Sequence, residues 1–357
     1  MKKIIRIVLS VLISVILNSV NAHNSDSVRN IILMIGDGMG VAQVYGGYTA
    51  NKGFLNLEKS TYIGFSKTHS ANKYITDSGA GGTAISTGQK TNNFHIAVDT
   101  NKQPLKTILE SAVENGIATG LVVTASVTHA TPASFIAHNI SRYDSLDIAY
   151  DYLKNNVDIF IGGGKAHFED RKDSVNLTDS LRQKGYEISY SIGDLDPASD
   201  KKLGCFVADY QPPSVIKGRG DYLPLATKKA LEKLNRSKNG FFLMVEGSQI
   251  DWAGHDNDLE FLLTEVIDFD KAVGEAYAFA DENPGTLVIV TADHETGGFS
   301  IIDGDLVTGN VEGVFGTDDH TGVMVPVFSY GSGAEEFAGI YENTEIYHKM
   351  RHLLGLK

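Results

Sequence analysis

The 357-residue chain has little cysteine, little basic charge relative to acidic charge, and few long hydrophobic segments. Its single cysteine, Cys205, excludes a disulfide within the chain and a cysteine-rich zinc ribbon. The apolar neighbours of Cys205 favour a buried structural thiol over a catalytic one. Lysine and arginine total 31 against 44 aspartates and glutamates, so the net charge is −13. This balance argues against nucleic-acid and anionic-membrane partners, which need basic surface.

Residues 1–22 have the pattern of a secretory signal peptide. Three basic residues precede an apolar stretch over 7–17, and Val20 and Ala22 supply small side chains at a cleavage site. The apolar stretch is shorter than the roughly 20 residues that span a bilayer, and no later segment is long and apolar enough to span one. We therefore expect a secreted, periplasmic protein. Removal of three positive charges would take the net charge from −13 to −16.

Short apolar runs alternate with helical patterns along the rest of the chain. The runs predict buried strands over residues 30–35, 62–68, 118–124, 157–161, 241–245, 286–291 and 323–328. The helical patterns cover residues 105–115, 146–154, 225–234, 259–280 and 344–354. This alternation predicts an α/β fold with a central, mainly parallel sheet and helices on both faces. We find no repeat or long linker, so residues 23–357 are interpreted as one domain, with segment 162–222 at its periphery.

Carboxylates and imidazoles are concentrated where the predicted strands end, which is where open α/β sheets bind ligands. They are Asp37, Glu246, Asp251, His255, Asp293, His294, Glu295, Asp318, Asp319 and His320. Mixed carboxylate and imidazole sets suit zinc, and oxygen sets suit magnesium. Taken singly, each motif has a plainer explanation, such as a surface i, i+4 pair or a turn residue. Their joint occurrence favours bound cations, because clustered carboxylates repel one another.

The segment Thr76-Asp77-Ser78-Gly79-Ala80-Gly81-Gly82 follows a predicted strand and opens a helix. A serine at a helix N-terminus meets free backbone N–H groups and the positive end of the dipole, and both favour phosphate. Glycines early in a helix are costly unless the backbone must approach a ligand closely. The alternative is that Asp77 or Ser78 serves only as an N-cap.

A further motif, Thr128-His129-Ala130-Thr131-Pro132, follows the predicted strand 118–124, and Arg142 lies downstream. Arginine presents a planar fork that can bind two phosphate oxygens. Arg142 could instead form a surface salt bridge, and Thr131 could be a turn residue.

In order and spacing, these motifs resemble those of the alkaline phosphatases over nearly the whole mature chain. The resemblance runs from Asn30-Ile31-Ile32-Leu33-Met34-Ile35-Gly36-Asp37-Gly38-Met39-Gly40 to Asp319-His320-Thr321-Gly322. It implies that Ser78 is the nucleophile and that Arg142, oriented by Asp77, clamps the phosphate. It implies hydrolysis of phosphate monoesters through a phosphoserine.

The resemblance also implies two zinc ions and one magnesium ion. The implied ligand sets are Asp251, His255 and His320 for one zinc, Asp37, Asp293 and His294 for the other, and Asp37, Thr131 and Glu246 for magnesium. Two metal ions of this kind can clamp the attacking and leaving oxygens of an in-line displacement. Glu295 and Asp318 receive no role.

Some positions depart from one well-known bacterial branch of the family. His129 stands where that branch has aspartate, and Trp252 stands where it has lysine. We expect His129 to lie near the magnesium, with Trp252 stacked against it, both in supporting roles. The short interval between His294 and His320 indicates a compact variant with reduced insertions. Family members commonly form homodimers, so a homodimer is the assembly that the resemblance suggests.

Two other functions remain open from the residues alone. A phosphodiesterase, phosphonate hydrolase or phosphomutase could share the fold, and a non-catalytic periplasmic protein could bind metal or phosphate. Ser78, Arg142 and the magnesium set favour a phosphate monoesterase, because a diester offers one fewer charged oxygen to bind.

Overall fold

A computed structural model describes residues 27–356, so the predicted signal peptide lies outside the described residues. The strands are β1 (Asn30–Gly36), β2 (Tyr62–Lys67), β3 (Ala118–Ser126), β4 (Ile159–Gly163), β5 (Tyr186–Ser189), β6 (Lys202–Phe206), β7 (Phe241–Gly247), β8 (Thr286–Thr291), β9 (Glu295–Thr296), β10 (Ser300–Asp305), β11 (Asn310–Val314), β12 (His320–Thr321), β13 (Val325–Gly331) and β14 (Gly339–Glu342). Ten of them form one sheet in the order β14-β2-β13-β8-β1-β7-β3-β4-β6-β5. Only β13 runs antiparallel to its neighbours in this sheet, so the predicted mainly parallel sheet is confirmed.

The helices are α1 (Val41–Ala50), α2 (Ser78–Thr87), α3 (Ile108–Glu114), α4 (Ala130–Ile136), α5 (Ser145–Lys154), α6 (Lys165–Glu169), α7 (Leu177–Gln183), α8 (Tyr222–Leu234), α9 (Gln249–His255), α10 (Leu259–Glu282) and α11 (Thr344–Leu353). They cover both faces of the sheet. In β1, Ile31 and Leu33 join one hydrophobic cluster while Ile32 and Met34 join the other. Because successive strand residues point to opposite faces, a strand buried on both sides is a continuous apolar run, as predicted.

Three features of the fold differ from or add to the sequence expectations. The segment 162–222 supplies β5 and β6, which extend one edge of the main sheet rather than lying outside it. The last predicted strand, 323–328, is observed as β13 and ends later, at Gly331. The interval before His320 holds a small antiparallel hairpin, β10 with β11, consistent with a compact variant. Among the described residues, no helix is long and apolar enough to cross a membrane.

Candidate active site

The site is formed where four central strands, β8, β1, β7 and β3, end side by side. Asp37 follows β1, Glu246 lies near the end of β7, and Asp293 follows β8. All three carboxyl side chains are fully buried. The parallel register that pairs Ile35 with both Glu246 and Thr291 brings these three acids to one edge of the sheet. Their proximity therefore follows from the fold, as the strand-end rule predicts.

The innermost group consists of Asp37, Asp293 and His294. The Nε2 atom of His294 lies 3.4 Å from Asp37 Oδ1 and 3.4 Å from Asp293 Oδ2. Ser78 Oγ, in the first turn of α2, lies 3.2 Å from the same Nε2. The predicted nucleophile is therefore in direct contact with one of the predicted metal-ligand sets.

A second group consists of Asp251, His255 and His320. Asp251 Oδ1 is 3.4 Å from the Nε2 atom of each histidine, and the two Nε2 atoms are 3.1 Å apart. The Nδ1 atoms face main-chain carbonyls, His255 that of Asp318 at 2.7 Å and His320 that of Thr76 at 2.9 Å. If each Nδ1–H donates to its carbonyl and both rings are neutral, the lone pairs of the two Nε2 atoms point toward each other. A shared cation resolves this conflict, so the donor set fits zinc.

The electrostatics of this second group also favour positive charge. Burial opposes ionisation of Asp251, but contact with His320 and the other histidines holds its pKa well below the ordinary value. Burial lowers the pKa of His320, yet Asp251 more than compensates and raises it to about 9. Asp251 is therefore ionised, and without a bound metal ion the protonated His320 is its cationic partner.

The third group surrounds Glu246, and its negative charges are the least compensated by nearby positive groups. Atoms of Asp37, His129 and Glu246 suited to metal binding lie within 4.8 Å of one another, and Thr131 Oγ1 lies 3.5 Å from Asp37 Oδ2. Within residues 27–356, neither carboxylate oxygen of Glu246 has a hydrogen-bond partner. Burial raises the pKa of Glu246 to about 8. Burial, followed by repulsion from Asp293, raises the pKa of Asp37 well above its ordinary value. A buried, oxygen-rich set of this kind fits a magnesium ion.

His129 and Trp252 border this third group. Their ring centroids are 6.0 Å apart at an interplanar angle of 76°, so the rings meet edge to face and are not stacked as expected. His129 Nε2 also lies 3.5 Å from Arg142 Nη2. Burial and the Arg142 charge lower the pKa of His129 to about 3, so this imidazole is neutral.

Asp77 connects the nucleophile helix to Arg142. Its Oδ1 accepts from the Ala80 N–H at 3.1 Å and from the Phe94 N–H at 2.9 Å, and its Oδ2 accepts from Arg142 Nη1 at 2.8 Å. Asp77 is therefore both the N-cap of α2 and the partner of the arginine. The two explanations that the sequence left open hold together, and one carboxylate fixes Ser78 and Arg142 relative to each other.

Sequence reasoning missed several groups that support these side chains. Thr296 Oγ1 donates to Asp251 Oδ1 and lies 3.2 Å from His294 Nδ1, so it links the two histidine-containing groups. Glu295 has no place in the groups; it accepts from Gln43 at 2.6 Å and from Thr321. Asp318 contributes its main-chain carbonyl, which faces His255. No residue type signals a main-chain acceptor in advance, because its position depends on the folded turn.

Comparison with known proteins places this geometry in a family. A family model described as alkaline phosphatase matches residues 28–313. Alkaline phosphatase 3 and alkaline phosphatase 4 of Bacillus subtilis (strain 168) are 36% and 38% identical to the chain. These alignments cover 90% and 92% of this chain and 88% and 74% of the relatives.

Solved structures agree with the sequence comparisons. Alkaline phosphatase from the Antarctic bacterium TAB5 is 41% identical, with a TM-score of 0.88 over 93% of this chain and 99% of that one. A histidine-to-aspartate variant of the TAB5 enzyme, with Mg bound in its M3 site, matches at 40% identity and a TM-score of 0.89, with the same coverage. The family model spans most of the chain, and each of these relatives is at least 36% identical to it over the aligned residues. The chain belongs to the alkaline phosphatase family.

Proposed function

We propose that the chain hydrolyses phosphate monoesters by transferring the phosphoryl group first to Ser78 and then to water. The family assignment supports phosphomonoester hydrolysis itself. The observation that carries the covalent route is the 3.2 Å contact between Ser78 Oγ and His294 Nε2, at the N-terminus of α2. A nucleophile held against a ligand cluster and a helix N-terminus is placed to attack an anionic phosphoryl group.

The three side-chain groups are the proposed holders of two zinc ions and one magnesium ion. Asp37, Asp293 and His294 would hold one zinc, Asp251, His255 and His320 the other, and Asp37, Thr131 and Glu246 the magnesium. When bound, these ions supply positive charge for the attacking and leaving oxygens and lower the pKa of coordinated hydroxyl groups. Two observations support this assignment. The carboxylate oxygens of Glu246 have no hydrogen-bond partner in the part of the chain that the structure describes, and the Nε2 atoms of His255 and His320 face each other.

The chain's own residues then act in a simple order. Arg142 binds two non-bridging phosphate oxygens, and Asp77 fixes the plane of its guanidinium group. Ser78 Oγ gives its proton to water and forms a bond to phosphorus, while the bond to the leaving alcohol oxygen breaks on the opposite side. The leaving oxygen takes up a proton from water, and the alcohol departs. A second water then attacks phosphorus and loses a proton, the Ser78–phosphorus bond breaks, and Ser78 Oγ regains a proton as inorganic phosphate is released.

Hydrolysis assays on p-nitrophenyl phosphate, its bis ester and its sulfate, with and without chelator, test the substrate class. We expect the monoester to be hydrolysed fastest and the activity to disappear when metal is removed. Equal or faster hydrolysis of the bis ester would instead support a phosphodiesterase. Absence of turnover on all three, with metal content intact, would support a binding protein.

The variant Ser78→Ala tests the nucleophile. It should abolish the acid-stable phosphoenzyme and nearly all turnover while elemental analysis still finds the parent metal content. Ser237→Ala is the matched control, because Ser237 precedes β7 and lies at the opposite end of that strand from Glu246. Full activity of Ser78→Ala would show that the nucleophile is misplaced.

Export and assembly complete the proposal. The pattern of residues 1–22 supports secretion to the periplasm with cleavage after Ala22, which N-terminal sequencing of the mature protein tests. A homodimer is proposed from the resemblance, and light scattering on the purified protein tests it. Nucleic acid is not an expected partner of a chain with this acidic balance.

A further inference from the structure

A short hydrogen-bonded chain joins the periphery of the sheet to the turn between β3 and α4. Ser126 and Thr128 in this turn are each 1% exposed. Their hydroxyl oxygens are 2.7 Å apart, and Thr128 Oγ1 lies 2.7 Å from Nδ1 of His167. His167 belongs to α6, in the segment that the sequence suggested was peripheral. A residue outside the proposed ligand sets therefore contacts the turn that leads to His129 and Thr131.

The donors and acceptors of this chain can be arranged in a consistent direction. The Thr128 N–H donates to Ser126 Oγ at 3.2 Å. The Ser126 hydroxyl can then donate to Thr128 Oγ1, and the Thr128 hydroxyl to Nδ1 of His167. This direction requires a neutral His167 with an unprotonated Nδ1. Burial and the nearby Arg171 charge lower the pKa of His167, which favours the neutral ring that this direction needs.

The backbone around His167 is shaped to admit this contact. Gly164, immediately before α6, has φ of +97°, and a Cβ atom there would lie 2.2 Å from Ser126 Oγ. Only glycine leaves room for the serine hydroxyl at this position. On the other side, Tyr210 meets the His167 ring edge-on, with centroids 5.7 Å apart. Two neighbours thus fix the imidazole that ends the hydrogen-bonded chain.

The supported turn leads directly into the proposed magnesium set. His129 is the N-cap residue of α4, and Thr131 lies in the first turn of that helix. The His129 N–H donates to the Ser126 carbonyl at 2.9 Å, so movement of Ser126 would carry His129 with it. Thr131 Oγ1 meets Asp37 at 3.5 Å. A shift of a few tenths of an ångström in the turn would therefore change the distance between the oxygen atoms of Thr131 and Asp37.

We propose that His167 is a positioning residue that holds the turn of residues 126–131 through the Thr128 hydroxyl and so sets the affinity of the Thr131-containing site for Mg²⁺. This inference rests on the proposed function, because it concerns a metal site assigned there. Groups that orient metal ligands without touching the metal typically alter metal affinity by about 10- to 100-fold when they are removed. The expected effect of losing His167 is of that size.

The experiment measures magnesium bound per chain in purified holoenzyme equilibrated at graded Mg²⁺ with zinc kept saturating. His167→Ala should raise the half-saturating Mg²⁺ concentration about tenfold or more. His167→Asn should recover most of the loss, because its side-chain amide can occupy the position of Nδ1. In His167→Ala, kcat at low Mg²⁺ should fall with little change in KM, and zinc should stay at the parent level. His352→Ala, an exposed histidine on α11, is the matched control and should not shift the curve.

Three outcomes would overturn the inference. A His167→Ala curve that superimposes on the parent curve removes the role altogether. Equal losses in His167→Ala and His167→Asn remove the hydrogen bond as its basis, and joint loss of zinc and magnesium indicates general damage. Thr128→Val provides a second route should His167→Ala fold poorly, and it should reproduce the magnesium effect with no further loss in the double variant. Failure of the proposed function gives a different result, since a parent protein that takes up no magnesium would refute the site itself.

Discussion

The cost of burying Glu246 predicts how the metal-depleted protein should respond to pH. Burial raises the pKa of this glutamate to about 8, from an ordinary value of 4.5. The folded state therefore holds a proton on Glu246 at pH values where the unfolded chain has lost it. A folded-state pKa above the unfolded value means that stability falls as pH rises between the two. Each pH unit in this window costs about 1.4 kcal/mol, so the loss between pH 5 and pH 8 is about 4 kcal/mol.

To isolate this effect, the parent protein and the variant Glu246→Gln are both depleted of metal with a chelator. Their free energies of unfolding in urea are then compared at pH 5, 6.5 and 8. Glutamine keeps the shape of the side chain but does not titrate, and its presence also removes repulsion on Asp37 and Asp293. We expect the free energy of unfolding of the parent to fall about 4 kcal/mol more than that of the variant over this range. For a chain of about 330 ordered residues, this corresponds to roughly 6 °C in the thermal midpoint.

Restored divalent metal should remove most of the pH dependence in the parent, because a bound cation stabilises the ionised carboxylate. Parallel pH curves for chelated parent and chelated Glu246→Gln would refute the reasoning, since they would show that Glu246 is ionised in the folded protein without a cation. A steeper loss in the variant than in the parent would refute it equally.

Three further predictions test other parts of the structure. Asp77→Asn keeps the N-cap of α2 but loses the charged partner of Arg142, so inorganic phosphate should inhibit several-fold more weakly in steady-state assays. Burial opposes protonation of His138, but its contact with Glu110 raises its pKa overall. The protonated ring should therefore stabilise the fold below pH 6.5, and this contribution should disappear as pH rises. His138→Gln should lower the free energy of unfolding in urea by about 1 kcal/mol at pH 5.5 and by less at pH 9. Cys205 is fully buried and its pKa is raised by burial to about 11, so iodoacetamide should label it only after denaturation.

The central sheet and the acids at its edge could be predicted from sequence because both signals are local. A buried parallel strand is a continuous apolar run, and the residue after the run lies at its carboxyl end, as for Asp37 after β1 and Asp293 after β8. The edge strand β5 and its neighbour β6 were not predicted. The residues of β5 are mostly half-exposed or exposed, so they show no apolar run. Their pairing with the sheet depends on tertiary contacts that a single sequence does not display.

The groups that hold the site side chains in place could not be predicted from the sequence, and the physical reason is a different one. A carbonyl such as that of Thr76 or Asp318 has the same chemistry at every position, and only the folded turn aims it at a histidine. Thr296 has a side chain common in strands, so its contacts with Asp251 and His294 carry no residue-type signal.

The acidic charge of the chain has a local explanation that reconciles it with an anionic substrate. Four buried carboxyls of the site, Asp37, Glu246, Asp251 and Asp293, belong to the proposed ligand sets. The guanidinium group of Arg142, held by Asp77, is available to bind the phosphate. Three divalent cations would bring six positive charges to a space a few ångströms across. Exposed acidic residues more than about 8 Å away are largely screened at physiological ionic strength, whereas buried charges are screened far less. With these ions bound, the field at Ser78 would be set by the ligand groups and the ions, and the net charge of −13 does not argue against a phosphate monoester.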